Sequence, residues 1–409
     1  MELPAYLRSL TTPAIALPEQ GTASLILSSR QIAGFVGYAA LYEFEDMIAE
    51  VTGAGIAQVT NNAGIEALRK VNKLVRTLAP LPALPHLLDR VPGNVSLSGK
   101  LELFLPVFNH VFEVFALGAL RDWRKQSRVA ACFLGEAWNS QLPSYLVDQL
   151  REFDHIFVGV QGSVETIGAL TGRPCTYLPR AVDALRFCPG PEPAERHIDV
   201  CNIGRRASDT HAALLELARS KRFFYYYDTM RTRAPGVNSI SFSVIDHTEH
   251  RELLAALLGR SRYFIANRAV IDQPELTGMQ QEISGRYYEG AAAGAVMVGF
   301  PPDTEEFRRQ FFWDGAIIPV PFQAPHIGSI LAELDRDPAR LARIRKSNVV
   351  NALRHHDWVY RLRSMFETLG VAPTAGLVAR EQKLWALAEE IEGQPGVGLA
   401  QPSVQPRGA

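Results

Sequence analysis

From about residue 128 onward the chain repeats one unit: a short apolar run, a polar or glycine-bearing break, and an amphipathic stretch with helical spacing. Val129–Leu134 reads as a strand, residues 143–153 as a helix, Asp154–Val160 as a strand, residues 162–170 as a helix and Cys175–Leu178 as a strand. Residues 183–197 carry Pro189, Pro191 and Pro193 and read as a linker. The rhythm then restarts. Strands are predicted at Ile198–Ile203, Phe223–Tyr227, Tyr263–Ala266, Ala295–Val298 and Ala316–Pro319, and helices at 209–219, 248–258, 287–294, 303–311, 324–335 and 338–364. Strands that alternate with helices cannot pair through tight hairpins, so each series implies a parallel sheet covered by helices. The expected fold is α/β, with two Rossmann-like domains and helices at the C-terminal end.

A chain of 409 residues exceeds one ordinary core, and two domains are expected. The boundaries are expected as a first domain at 1–182, a second domain at 183–370, a C-terminal helix at 371–392 and a disordered tail at 393–409. The opening is less regular. Its first 30 residues hold one apolar run, Ser24–Leu27. Gly37–Ala49 has a helical stripe of Leu41, Phe44, Met47 and Ile48 with acids between them, and residues 62–78 form a further helix that Pro80, Pro82 and Pro85 end. Leu101–Leu120 is apolar enough to suggest a membrane span, but Glu102, Asn109, His110 and Glu113 rule that out. It reads as a buried helix; peripheral contact with a membrane-held partner is the weaker alternative.

The net charge of -1 gives no basic footprint for nucleic acid. Cys132, Cys175, Cys188 and Cys201 lack metal spacing, and no signal-peptide pattern opens the chain. They read as free thiols in a reducing cytoplasm.

Two strand ends could carry chemistry. Asp199–Arg206 is an apolar strand ending in Gly204, Arg205 and Arg206, followed by a helix that starts near Asp209 and contains His211. Glycine allows close backbone approach, arginine presents a fixed fork of donors, and a helix start adds N–H groups, which together suit phosphate; two solvated loop arginines fit the same residues equally well. The second is Gln280–Gly299, where a polar loop leads into a helix of small residues with Arg286 and Glu289 in its first turns. A carboxylate there suits a ribose, while an ordinary acidic helix start with an alanine packing face fits slightly better on chemistry alone.

Arg286-Tyr-Tyr-Glu-Gly-Ala-Ala-Ala-Gly-Ala resembles the signature helix of group 1 glycosyltransferases of the GT-B fold, in the branch with R-x-x-E-x-x-A-x-G-A. Tyr177–Asp183 is similar to that family's Y-L-P-x-x-V-D segment, Ile198–Arg206 to its first strand and phosphate loop, and Arg340–Arg361 to its closing helix. The resemblance covers roughly residues 130–370 and implies transfer of a sugar from a nucleoside-diphosphate sugar to an acceptor not identified by the sequence. It implies that Glu289 binds the ribose and that Gly204, Arg205, Arg206 and Gly290 meet the diphosphate, with Arg286 or His211 assisting. Relatives carry a second glutamate eight positions before the first; here that position is Gln281, with Glu282 one place later. Relatives also place a lysine soon after the arginine, whereas here none follows before Lys221.

The resemblance implies a metal-independent reaction, with no organic cofactor, in which cations aimed at the leaving diphosphate lower the barrier. If configuration inverts, a base from the first domain is needed, and Glu136 is the leading candidate, ahead of His110 and His155. Two other readings remain at this level: a sugar-nucleotide epimerase on the same scaffold, and a non-catalytic protein that binds sugar nucleotides or glycans. No Gly-x-Gly-x-x-Gly follows either first strand, which disfavours a dehydrogenase. Relatives often build surface polysaccharides, which implies a glycan-building role.

Overall fold

The computed structural model describes residues 15–18, 23–31, 35–60, 95–97, 99–138, 144–192, 195–220, 222–229, 232–233, 240–241 and 244–394, a few side chains excepted. The sequence expectations for a helix at 62–78, for its terminating prolines and for a disordered tail beyond 394 lie outside these residues.

The first half is built on an eight-stranded sheet. Its strands are β1 (Ile15–Ala16), β2 (Ser24–Ser28), β3 (Gly55–Val59), β4 (Leu101–Phe104), β5 (Val107–His110), β6 (Ser127–Glu136), β7 (His155–Val158) and β8 (Cys175–Tyr177). They run β1-β3-β2-β4-β6-β7-β8, with β5 also paired to β6. Every pairing is parallel except β1 with β3. Ala130–Leu134 are all fully buried, as expected for a strand covered on both faces. Helix α1 (Ala39–Thr52) covers one face, and α2 (Ser144–Leu150) and α3 (Val164–Thr171) link the later strands.

Leu101–Leu120 is not the buried helix its composition suggests. It forms β4, β5 and a 3-10 segment at Val111–Ala119. An unbroken apolar run has no period to separate strand from helix, and burial on both faces is what such a run reports here. Pro106 lies between β4 and β5, and its carbonyl accepts the Phe133 N–H at 3.0 Å, so both short strands follow β6.

The second half holds five parallel strands, β9 (Ile198–Asn202), β10 (Tyr225–Tyr227), β11 (Ser261–Ile265), β12 (Val296–Gly299) and β13 (Ile318–Pro319), in the order β10-β9-β11-β12-β13. Helices α4 (Ser208–Ala218), α5 (His247–Gly259), α6 (Gly285–Ala292), α7 (Glu305–Gln310) and α8 (Ile327–Leu334) complete a Rossmann-like layer structure.

The single helix expected at 338–364 is two, α9 (Pro338–His355) and α10 (Trp358–Leu369). The break arises because Asp357 leaves the helix to cap the Val359 N–H at 2.9 Å. Val182 fills the gap: its N–H donates to the His356 carbonyl at 3.0 Å and its carbonyl accepts the Trp358 N–H at 3.1 Å. Arg380, from α11 (Ala375–Gly393), grips Asp357 at 2.8 Å and Asp183 at 2.6 Å. Helix α11 thereby returns to the first half, where the Thr374 hydroxyl donates to the Val51 carbonyl at 2.5 Å. Phe44 of α1 stacks on Trp358 at 4.6 Å, both fully buried.

The proline-bearing segment at 183–197 is packed rather than loose at its start. Ala184–Phe187 forms a helical turn capped by Asp183, and Phe187 is buried beneath the Arg251 guanidinium, 4.6 Å from its ring.

Candidate functional site

In the second sheet the strand order reverses direction between β9 and β11, and the carboxyl ends of those strands open the crevice where open α/β sheets take ligands. The turn after β9 passes through Gly204 at φ 83°, a left-handed conformation that a side chain disfavours. A Cβ on Gly204 would stand 3.7 Å from Nη2 of Arg286, so the turn and the first turn of α6 converge at the crevice. Asp228, just beyond β10, fixes the turn: its carboxylate accepts the Gly204 N–H at 3.1 Å and an Arg206 N–H at 2.5 Å. Arg206 also lies over the Tyr227 ring and its side chain is 8% exposed, so it braces the turn from behind. Arg205 points outward, half exposed, to Asp272 at 2.5 Å and Gln273 at 3.1 Å.

Helix α6 starts at Gly285, and Glu289 lies just inside it, 4% exposed. One carboxylate oxygen accepts from Arg286 at 2.7 Å and the other from Arg251 of α5. Burial alone would raise the Glu289 pKa, but the two guanidinium groups outweigh it and hold the carboxyl at about 2. Arg251 continues the chain of charges to Glu43 of α1, with its Nε 2.8 Å from Oε2 and Nη2 3.2 Å from Oε1. Glu43 also accepts the Asp183 N–H at 2.7 Å and the Trp358 indole N–H at 3.2 Å.

The other residues singled out from sequence are spread around this centre. His211 meets the Tyr225 hydroxyl at 2.8 Å. Gly290 is a packing glycine: a Cβ there would stand 2.8 Å from the Phe264 ring. Gln281 accepts the Asp303 N–H at 2.9 Å. Glu282 crosses to the first half, accepting N–H groups of Gln161 at 2.7 Å and Gly162 at 3.5 Å. Its burial pushes the carboxyl up to about 7 against the pull of those N–H groups.

In the first half, Glu136 ends β6 and pairs with Arg180 at 3.0 Å, beside His110, its register partner on β5. His155 opens β7, at the amino edge of the sheet, bonded to the Thr176 hydroxyl at 2.9 Å. That end faces away from the strand ends that open the crevice, which removes His155 as a base.

No family model matches the chain, and no curated protein matches it by sequence. Solved structures match it by fold. An α,α-trehalose-phosphate synthase (UDP-forming) from Burkholderia vietnamiensis aligns over 85% of this chain and 100% of its own, with a TM-score of 0.52 at 11% identity. The UDP-forming synthase from Burkholderia xenovorans aligns over 86% and 100%, with a TM-score of 0.51 at 11% identity. The chain has the GT-B fold.

In this GT-B arrangement the strand-end loops of the halves touch. A Cβ on Gly162 would stand 2.7 Å from the Gln280 side chain, next to the Glu282 bonds to residues 161 and 162. Sequence reasoning missed Glu43 and Arg251. Glu43 lies among the acids of an amphipathic helix and reads as solvated; only the second half, packed over α1, makes that face interior. Among the described residues no helix is long and apolar enough to cross a membrane. Cys132 and Cys201 are buried, Cys175 and Cys188 half-buried, and all four thiols are free.

Proposed function

We propose that the chain is a metal-independent glycosyltransferase that moves a sugar from a nucleoside-diphosphate sugar to an acceptor entering from the first half. The observation that carries this reading is the convergence of the left-handed Gly204 turn with the Arg286 guanidinium at the strand-order reversal. Open backbone, a helix start and a forked cation at one crevice suit a diphosphate. Each of the two GT-B structures is named for an enzyme that forms UDP, which agrees with a leaving nucleoside diphosphate. The branch of group 1 enzymes with the R-x-x-E helix is the family we assign.

In this scheme Arg286 and Arg205 face the diphosphate. The Arg205–Asp272 pair is half exposed and therefore cheap to exchange for phosphate. Arg206 serves by holding the turn, and Glu289 by holding Arg286. Each Glu289 oxygen accepts from one guanidinium group and keeps a lone pair, so the ribose contact implied for Glu289 is compatible with this role. In the reaction the bond from the anomeric carbon to the β-phosphate oxygen breaks and a bond to an acceptor oxygen forms. The diphosphate takes the electron pair, and Glu136 or the departing phosphate takes the acceptor proton. Arginine side chains and backbone N–H groups offset the charge that builds on the leaving group. We place the protein in the cytoplasm and in glycan assembly.

The test is incubation with UDP-, GDP- and ADP-sugars, with and without sugar acceptors, reading free nucleotide and isomerised donor. The reading expects nucleotide release that rises with an acceptor. Isomerised donor without release points instead to an epimerase, and binding without turnover to a non-catalytic protein.

A further inference from the structure

Glu43, Arg251, Glu289 and Arg286 form a chain of alternating charge, in which the first three side chains are each at most 5% exposed. It begins on a helix of the first half and ends at the Gly204 turn of the second. We infer that Glu43 is a positioning residue for the diphosphate site, acting through Arg251 and Glu289 to set where the Arg286 guanidinium stands. This rests on the reading of Gly204 and Arg286 as that site.

The physical reason is charge sharing. Arg251 presents its fork to Glu43 and one N–H to Glu289, so Glu289 keeps its second oxygen for Arg286. Without the Glu43 charge, the undivided charge of Arg251 falls on Glu289 and draws that carboxylate away from Arg286. The guanidinium then loses its anchor, and its position against Gly204 loosens. Because Glu43 also receives the Asp183 and Trp358 N–H groups, its placement reports whether α1 is docked on the crossing segment and on α10. The second-half site is therefore complete only with α1 of the first half seated, which ties donor binding to the packing of α1 against the second half.

A double-mutant cycle read by calorimetric titration of UDP, GDP and ADP tests this. Glu43→Gln keeps the shape and removes the charge. It is expected to weaken binding of the preferred diphosphate about tenfold. Combined with Arg286→Lys, which lacks the fork, it should add little further loss, since both changes disable the same contact. Losses that multiply would overturn the relay, because a merely structural Glu43 acts independently of Arg286. Arg251→Lys gives the same comparison if Glu43→Gln does not fold, and Glu43→Asp should restore part of the affinity. Wild-type affinity in Arg286→Lys alone would overturn the site itself, a result distinct from failure of the relay.

Discussion

Arg286 and Glu289 stand three residues apart on α6, with Nη1 of the arginine 2.7 Å from Oε2 of the glutamate. The pair mounts the Arg286 guanidinium on the residue that sequence resemblance treats as a ribose ligand. It also links the mouth of the site to a charge network buried between the halves. Removing one partner from such a network costs more than removing an exposed pair, because an uncompensated charge stays behind.

Glu289 should show this as a pH-dependent contribution to stability. Its carboxyl is held at about 2, below the ordinary 4.5, so its contribution is present above pH 4.5 and is lost as pH falls toward 2. Urea unfolding of Glu289→Gln at pH 7 should show a loss of about 3 kcal/mol or more. The gap to wild type should shrink at pH 3. A gap that does not change with pH would contradict the ion-pair assignment.

Glu282 should behave in the opposite sense. Its carboxyl is raised to about 7, so the folded state is penalised as pH rises from 4.5 through 7. Glutamine keeps an oxygen for the Gln161 and Gly162 N–H groups. Glu282→Gln should therefore stabilise the protein by about 1–2 kcal/mol at pH 8 and change little at pH 5. Thermal unfolding at the two pH values measures this.

Gly376 tests how α11 docks on the first half. A Cβ there would stand 2.5 Å from the Val51 carbonyl oxygen, and neither backbone can yield. Gly376→Val should cost about 1–3 kcal/mol through overpacking, seen as a lower urea midpoint. An unchanged midpoint would mean that the helix does not seat against α1.

Much of the fold was legible in the sequence because both sheets follow one rule. From Val129 to Pro319 each apolar run predicted as a strand became one, and the restart after the proline-bearing segment marked the second sheet. The misreadings share a cause. Leu101–Leu120 carried no period to decide helix against strand. The break at His356–Asp357 has neither proline nor glycine, and it exists because Val182 and Arg380, distant in sequence, use the exposed groups. In the site, the Gly204 turn and Arg286 lay in segments already picked out for phosphate. Glu43 and Arg251 did not, since a buried charge on an amphipathic helix looks solvated until its partner element is in place. The Asp228 partner of Arg206, which lies beyond the neighbouring strand, was not legible in the sequence for the same reason.

The most direct measurement is a calorimetric titration of the wild-type chain and of Arg286→Ala with UDP, GDP and ADP, each without sugar or acceptor. The account predicts that at least one diphosphate binds the wild type and that the variant loses about 1.5–3 kcal/mol of that affinity, as expected for a charge-assisted contact. Equal affinity in the two proteins, or no diphosphate bound by the wild type, would contradict it.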